Sequence, residues 1–171
     1  MTISALIAPA GMLVFTFTMV YAGLTDLTTM KIQNGLLLLF LLAYAMLAPV
    51  VGLTVPEMGW SAAVAGAVLV VAFIFFALGW IGGGDAKFAA VTALWFGLDH
   101  TAAYLIYIAL LGGAFTLCLL QFRIMALPAW LPDRPWIARL HSQGTGVPYG
   151  FTMALAALIV FPHTRWMTAI F

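Results

Sequence analysis

Two carboxylates are the residues of this chain best placed to do chemistry. Asp85 follows three consecutive glycines in Gly82-Gly83-Gly84-Asp85-Ala86-Lys87, set between the apolar runs 62–80 and 88–98. Asp26 belongs to a polar stretch, Thr25-Asp26-Leu27-Thr28-Thr29-Met30-Lys31-Ile32-Gln33-Asn34, immediately after the apolar run 3–24. An ionisable group at or near membrane depth is costly and marks a functional candidate. Three glycines in a row cannot hold a rigid helix, and they carry no side chain to keep a neighbour away. If the two carboxyl groups meet, like charges about 3 Å apart do not both ionise, so an acid stands beside a base. The base can activate a water, while the acid polarises a carbonyl and later protonates a leaving amine.

Each of these residues also has a plainer reading. Asp85 can be the N-cap of a helix that starts at Ala86, and Asn34 the N-cap of the helix that follows it. Asp26 can be a solvated loop carboxylate. Lys87 can be a snorkelling lysine that helps to set orientation, and on a regular helix it does not share a face with Asp85. Asp133, within Leu131-Pro132-Asp133-Arg134-Pro135, reads as a loop carboxylate beside an arginine. Glu57, Asp99, His100, His163 and Arg165 read as markers of the opposite water boundary. His141 has no companion at metal-binding spacing, so no metal site is expected. No serine or cysteine has a histidine placed to activate it.

The elements that must position these groups are membrane helices. Of 171 residues 65% are hydrophobic and 6% charged, and the mean hydropathy is +1.16. A water-soluble domain of this size needs far more charge on its surface. The net charge is +1 and the basic residues form no patch, so no nucleic-acid partner is expected; the partner that composition does imply is the lipid bilayer. The single cysteine, Cys118, excludes an internal disulfide and a CxxC zinc site. The first apolar run lacks a basic leader and reads as a spanning helix rather than a cleavable signal.

Runs long enough to span occur at about 3–24, 36–53, 58–81 and 102–121. Shorter runs at about 88–98 and 147–161 bring the expected number of passes to six. The runs are too long and too uniformly apolar for an outer-membrane barrel, so the expected class is all-α and polytopic. No internal repeat is evident, and a single domain, 1–171, is expected. With six passes Lys31, Lys87, Arg123, Arg134 and Arg139 share one side, and only Arg165 lies on the other. The basic side is expected to be cytoplasmic, which turns both termini outward and puts Asp26 and Asp85 on the cytoplasmic side. The connection 122–146 carries Pro128, Trp130, Pro132, Pro135 and Trp136. It is expected to lie as an irregular interfacial segment ending in a flexible Ser142-Gln143-Gly144-Thr145-Gly146.

On these residues a resemblance can be stated. Asp26-x-x-x-x-x-Ile32-Gln33-Asn34 resembles the D-x-x-x-x-x-I-P-N motif of type IV prepilin peptidases. Gly82-x-Gly84-Asp85-x-Lys87 resembles their G-x-G-D-x-K motif. Val147-Pro148-Tyr149-Gly150, opening the last helix, resembles a further element of the short CpaA/TadV-type members that serve Flp/Tad pili. Gln33 departs from the family's proline. The resemblance implies an inner-membrane aspartic endopeptidase in which Asp26 and Asp85 are the catalytic pair, Gly82 and Gly84 shape the backbone, and Lys87 and Asn34 support it. Pro148, Tyr149 and Gly150 would belong to the same site. It implies a prepilin substrate with a short basic leader and a membrane-embedded helix, and it implies no cofactor. It also implies cleavage without the methylation performed by long members, whose added domain carries paired cysteines.

Three rival readings are carried forward. A presenilin-type intramembrane protease also uses G-x-G-D, but its first aspartate lies within a helix, whereas Asp26 is expected to border a polar connection. A small cation-coupled transporter could use the glycine break at Asp85. A non-catalytic membrane protein of pilus assembly is the third.

Overall fold

The computed structural model describes residues 3–126 and 134–168. These form helices α1 (Ile3–Thr29), α2 (Asn34–Val51), α3 (Val55–Ala77), α4 (Gly83–Ile124), α5 (Pro135–His141), α6 (Tyr149–Val160) and α7 (Arg165–Thr168). A 3₁₀ turn, Phe161–His163, joins the last two, and no strand occurs among the described residues. In lipid a helix satisfies its own backbone polar groups, which is why uninterrupted apolar runs take this form. Four of the helices, α1 to α4, are long and apolar enough to cross a membrane. The chain is a multi-pass membrane protein.

α4 is two passes. Gly97 breaks it with φ 62° and ψ −159°, a conformation that favours glycine. Ala89 and Gly112 line one trough, although a straight helix would hold them roughly 35 Å apart. The arms 83–96 and 98–124 therefore lie side by side. Thr101 secures the bend by donating its hydroxyl to the carbonyl of Gly97 at 2.5 Å. With α6 included, the apolar helices among the described residues number six, as the hydropathy pattern predicts.

The core sits toward the Gly97 end. Phe15 of α1 stacks on Phe161 with centroids 3.9 Å apart, and Phe40 of α2 stacks on Trp95 of α4 at 4.7 Å. Trp166 packs on Trp95 at 4.5 Å and donates its indole N–H to the Trp95 carbonyl at 2.9 Å. This aromatic block ties α1, α2 and the first arm of α4 together. The outer faces of α2 and α3, with Leu39, Val70, Phe73 and Ile74 exposed, offer apolar surface to lipid.

Three expectations need correction. α1 runs on to Thr29 instead of ending at Leu24, because Thr25, Thr28 and Thr29 donate their hydroxyls to carbonyls within the same helix. The helix stops at Met30, whose φ is 56°. The connection 122–146 is not irregular throughout, since Pro135 starts the short helix α5, the position at which a helix tolerates proline. Its segment 127–133, with Pro128, Trp130, Pro132 and Asp133, lies outside the described residues. The end of that connection, Ser142 to Gly146, is held by hydrogen bonds rather than flexible.

Candidate active site

Three helix ends meet at one end of the bundle: the last turn of α1, the first turn of α4 and the first turn of α6. The last turn of α1 supplies Asp26, which is inside the helix rather than in the connection after it. The reading that set this chain apart from presenilin-type proteases by a non-helical first aspartate is therefore not upheld. Asp26 is buried, with 5% of its surface exposed. Its carboxylate faces the backbone amides of Gly150 and Phe151 at the start of α6. Oδ2 completes no hydrogen bond within the chain.

The first turn of α4 supplies Asp85. Gly82 is the N-cap, with φ −75° and ψ 149°, so Asp85 is not the cap and two of the three glycines are helical. Asp85 lies within the opening turn, where a carboxylate is favoured by the helix dipole. Its Oδ2 accepts a hydrogen bond from the Gly82 amide at 3.1 Å. A Cβ at Gly82 would stand 3.0 Å from that oxygen, so the glycine leaves room for the carboxylate to fold back. Asp85 and Asp26 are within electrostatic reach of each other. Among the described residues no cation pairs with either.

The approach to α6 explains Val147-Pro148-Tyr149-Gly150. Pro148 has φ −73° and ψ 82°, and the Tyr149 amide donates to the Val147 carbonyl at 2.9 Å. This is an inverse γ-turn, for which the proline ring presets φ. It delivers Gly150 against α1. A Cβ there would lie 2.9 Å from the Asp26 carboxyl carbon and 2.7 Å from Cδ1 of Ile32. Ile32 also packs on α4, since a Cβ at Gly84 would meet its Cβ at 3.5 Å. One isoleucine is thus wedged between the glycines of the two elements that flank the aspartates.

Lys87 donates to the Asn34 side chain at 3.1 Å, linking the starts of α2 and α4. Asn34 is the first residue of α2 and Gln33 its N-cap, so the expected capping role of Asn34 is corrected to that of an acceptor for Lys87. Tyr149 lies against Gly112, and its hydroxyl is 3.5 Å from that of Thr116. Tyr104, fully buried on the second arm of α4, turns toward Thr92 and lies within electrostatic reach of Asp85.

An apolar trough of about 700 Å³ opens beside the site between α3 and the second arm of α4. Trp80 and Ile81 border it near the Asp85 turn, the small residues Ala109, Gly112 and Gly113 line its wall, and Tyr149 lies at its margin. A second cavity, about 210 Å³, lies at the opposite end and is lined by Glu57, Asp99, His100 and Arg165. No group of three potential metal ligands occurs among the described residues. His141 instead pairs a ring nitrogen with the Met125 carbonyl at 2.9 Å.

The structure thus brings together Asp26, Asp85, Gly82, Gly84, Pro148, Tyr149 and Gly150, with Lys87 and Asn34 alongside. Sequence reasoning missed the Phe151 amide, the wedge made by Ile32, and the pair Thr92 and Tyr104. The isoleucine stood inside a quoted motif, but its spacing says nothing of a contact with both glycines. Two carboxylates with backbone donors and a neighbouring apolar trough can hold a water and a peptide carbonyl between them.

The sequence pattern of the type IV leader peptidase family matches residues 13–117, a span that includes both aspartates and ends before α5 and α6. No curated protein and no solved structure matches the chain.

Proposed function

Because the chain belongs to the type IV leader peptidase family, we propose that Asp26 and Asp85 are its catalytic dyad and that it removes the basic leader of Flp/Tad-type prepilins. The observation that carries this reading is that two carboxylates, one from α1 and one from α4, lie within electrostatic reach of each other at a shared end of the bundle, with no cation paired to either among the described residues.

In this reading one carboxylate is ionised and the other protonated. The ionised one takes a proton from a water held between them, and the water oxygen bonds to the scissile carbonyl carbon. The protonated one donates to the carbonyl oxygen. As the gem-diol intermediate collapses, one of its hydroxyls returns a proton to the second carboxylate, the C–N bond breaks, and the departing nitrogen receives the proton taken from water, which restores the dyad. The products are a leader with a new carboxyl terminus and a pilin with a new amino terminus.

The prepilin's apolar helix would lie along the trough between α3 and the second arm of α4, with the leader junction near Tyr149. Lys31, Lys87, Arg123, Arg134 and Arg139 flank the site end of the chain, whereas Arg165 is at the far end. By the positive-inside rule the site would face the cytoplasm across the inner membrane, with both termini outward. That suits a substrate whose leader stays cytoplasmic.

Co-expression with a Flp-type prepilin tests the reading. Wild type is expected to remove the leader, and Asp85→Asn is expected to leave the precursor intact. Full processing by Asp85→Asn would defeat it.

A further inference from the structure

Arg123 closes α4 as a basic residue of its last turn, and orientation is the only role its position in the sequence suggests. Its side chain does something more specific. Nε donates to the Leu140 carbonyl at 2.9 Å. Nη2 faces three acceptors: the Thr145 carbonyl at 2.9 Å, the Thr145 hydroxyl at 3.1 Å and the Gly146 carbonyl at 2.8 Å. The Thr145 hydroxyl in turn faces the carbonyls of Arg139 and Ser142 at 2.7 and 2.9 Å. One half-buried guanidinium thus gathers the whole bend between α5 and α6.

The bend leads directly into the site. Beyond Gly146 come the γ-turn at Pro148, which is fully buried, and then the two amides that face Asp26. A single strap, 140–151, therefore presents carbonyls to Arg123 at one end and N–H groups to Asp26 at the other. A second arginine braces the opposite wall: Arg139 donates to the Thr28 carbonyl at 3.0 Å, on the turn of α1 that carries Asp26. Both arginines lie outside the span matched by the family pattern.

We propose that Arg123 is a positioning residue for the dyad, fixing through the strap 140–151 the place of the α6 amides against Asp26. The proposal rests on the peptidase reading. A planar guanidinium can address carbonyls on separate turns at once, whereas an ammonium is a compact point charge. Lysine at this position keeps the orienting charge but loses the fork, so the two roles of Arg123 separate in one substitution.

The test uses the full chain in proteoliposomes with an intact prepilin, comparing wild type, Arg123→Lys, Thr145→Ala and Asp85→Asn. A displacement on the order of 1 Å at a reacting group costs about 100-fold. Arg123→Lys is accordingly expected to lower kcat by about 10- to 100-fold while KM stays within about twofold. Thr145→Ala, which removes one acceptor and leaves the arginine, is expected to lower kcat by about threefold by the same displacement argument. It also supplies the test if Arg123→Lys does not fold. Wild-type kcat in Arg123→Lys, or in Thr145→Ala where the lysine variant fails to fold, overturns the proposal, as does a loss expressed mainly in KM. If Asp85→Asn is inactive while Arg123→Lys is unimpaired, only this proposal falls. If Asp85→Asn is active, the peptidase reading falls and takes the proposal with it.

Discussion

The two ends of the bundle treat their carboxylates in opposite ways. At the Gly97 end Glu57 caps α3 reciprocally with Thr54 and forms an ion pair with Arg165. Both side chains of the pair are well exposed, and the helices beneath them are locked by the aromatic block of Phe15, Phe40, Trp95, Phe161 and Trp166. At the other end Asp26 and Asp85 lie within electrostatic reach of each other, and among the described residues no cation pairs with either. Lys87, two residues after Asp85, donates to Asn34 instead. Glycines stand where the aromatics stood: Gly82 and Gly150 let a carboxylate or Ile32 come closer than a side chain would allow. A charge that serves the fold is given a partner of opposite sign in water. Two like charges brought together below a glycine-lined surface work against the fold, and chemistry is what such an arrangement can return.

Substitutions at the two ends should therefore differ in kind. The largest effect is expected at the dyad. Asp26→Asn and Asp85→Asn should each lower the rate of leader removal by about 1,000-fold or more while the protein remains in the membrane fraction. Next comes Gly150→Ala, whose methyl group would push on the Asp26 carboxyl group and on Ile32. It should lower kcat by about 10- to 100-fold, measured on reconstituted protein whose melting temperature is recorded in parallel. Gly113→Leu is gentler. No atom lies within 4 Å of a Cβ at Gly113, which lines the trough, so a leucine there extends into the trough and narrows it. It should raise KM for an intact prepilin by about fivefold and leave cleavage of a short soluble junction peptide unchanged. An equal effect on both substrates would show that the trough takes no part in binding.

The smallest effect is expected at the far end. Glu57→Gln breaks an exposed ion pair, an interaction that contributes little, and processing should stay within about twofold of wild type. A loss comparable to that of Gly150→Ala would erase the contrast between the ends.

What could be read from the sequence divides along similar physical lines. Hydropathy and the placement of lysines and arginines were enough to bring Asp26 and Asp85 to one side, because span length and charge asymmetry are imposed by the bilayer on every segment. The turn between the two arms of α4 was legible as the gap at 99–101 between two apolar runs, although the break itself falls just before it, at Gly97. The end of α1 was not. Thr25, Thr28 and Thr29 look like a polar loop, yet their hydroxyls bond back to the helix and carry it past Asp26. The cap expected at Asn34 lies one residue earlier, and the plainer reading of Asp85 as a cap fails by three residues, since a side chain that can cap can also accept from a distant lysine or fold back on its own turn. Arg123 was legible only as a charge. Its contacts with Leu140, Thr145 and Gly146 depend on how α5 and α6 pack beside α4, which no local pattern encodes. The match to the type IV leader peptidase family likewise covers the aspartates but stops short of the strap that completes their surroundings.

The most direct test of the central claim is single-turnover leader removal by Asp26→Asn, Asp85→Asn and the double variant, each reconstituted at equal density with one prepilin. Residues that act as one unit are not additive, so all three variants should fall to the same background rate. Either single variant retaining more than about 1% of the wild-type rate would contradict a dyad.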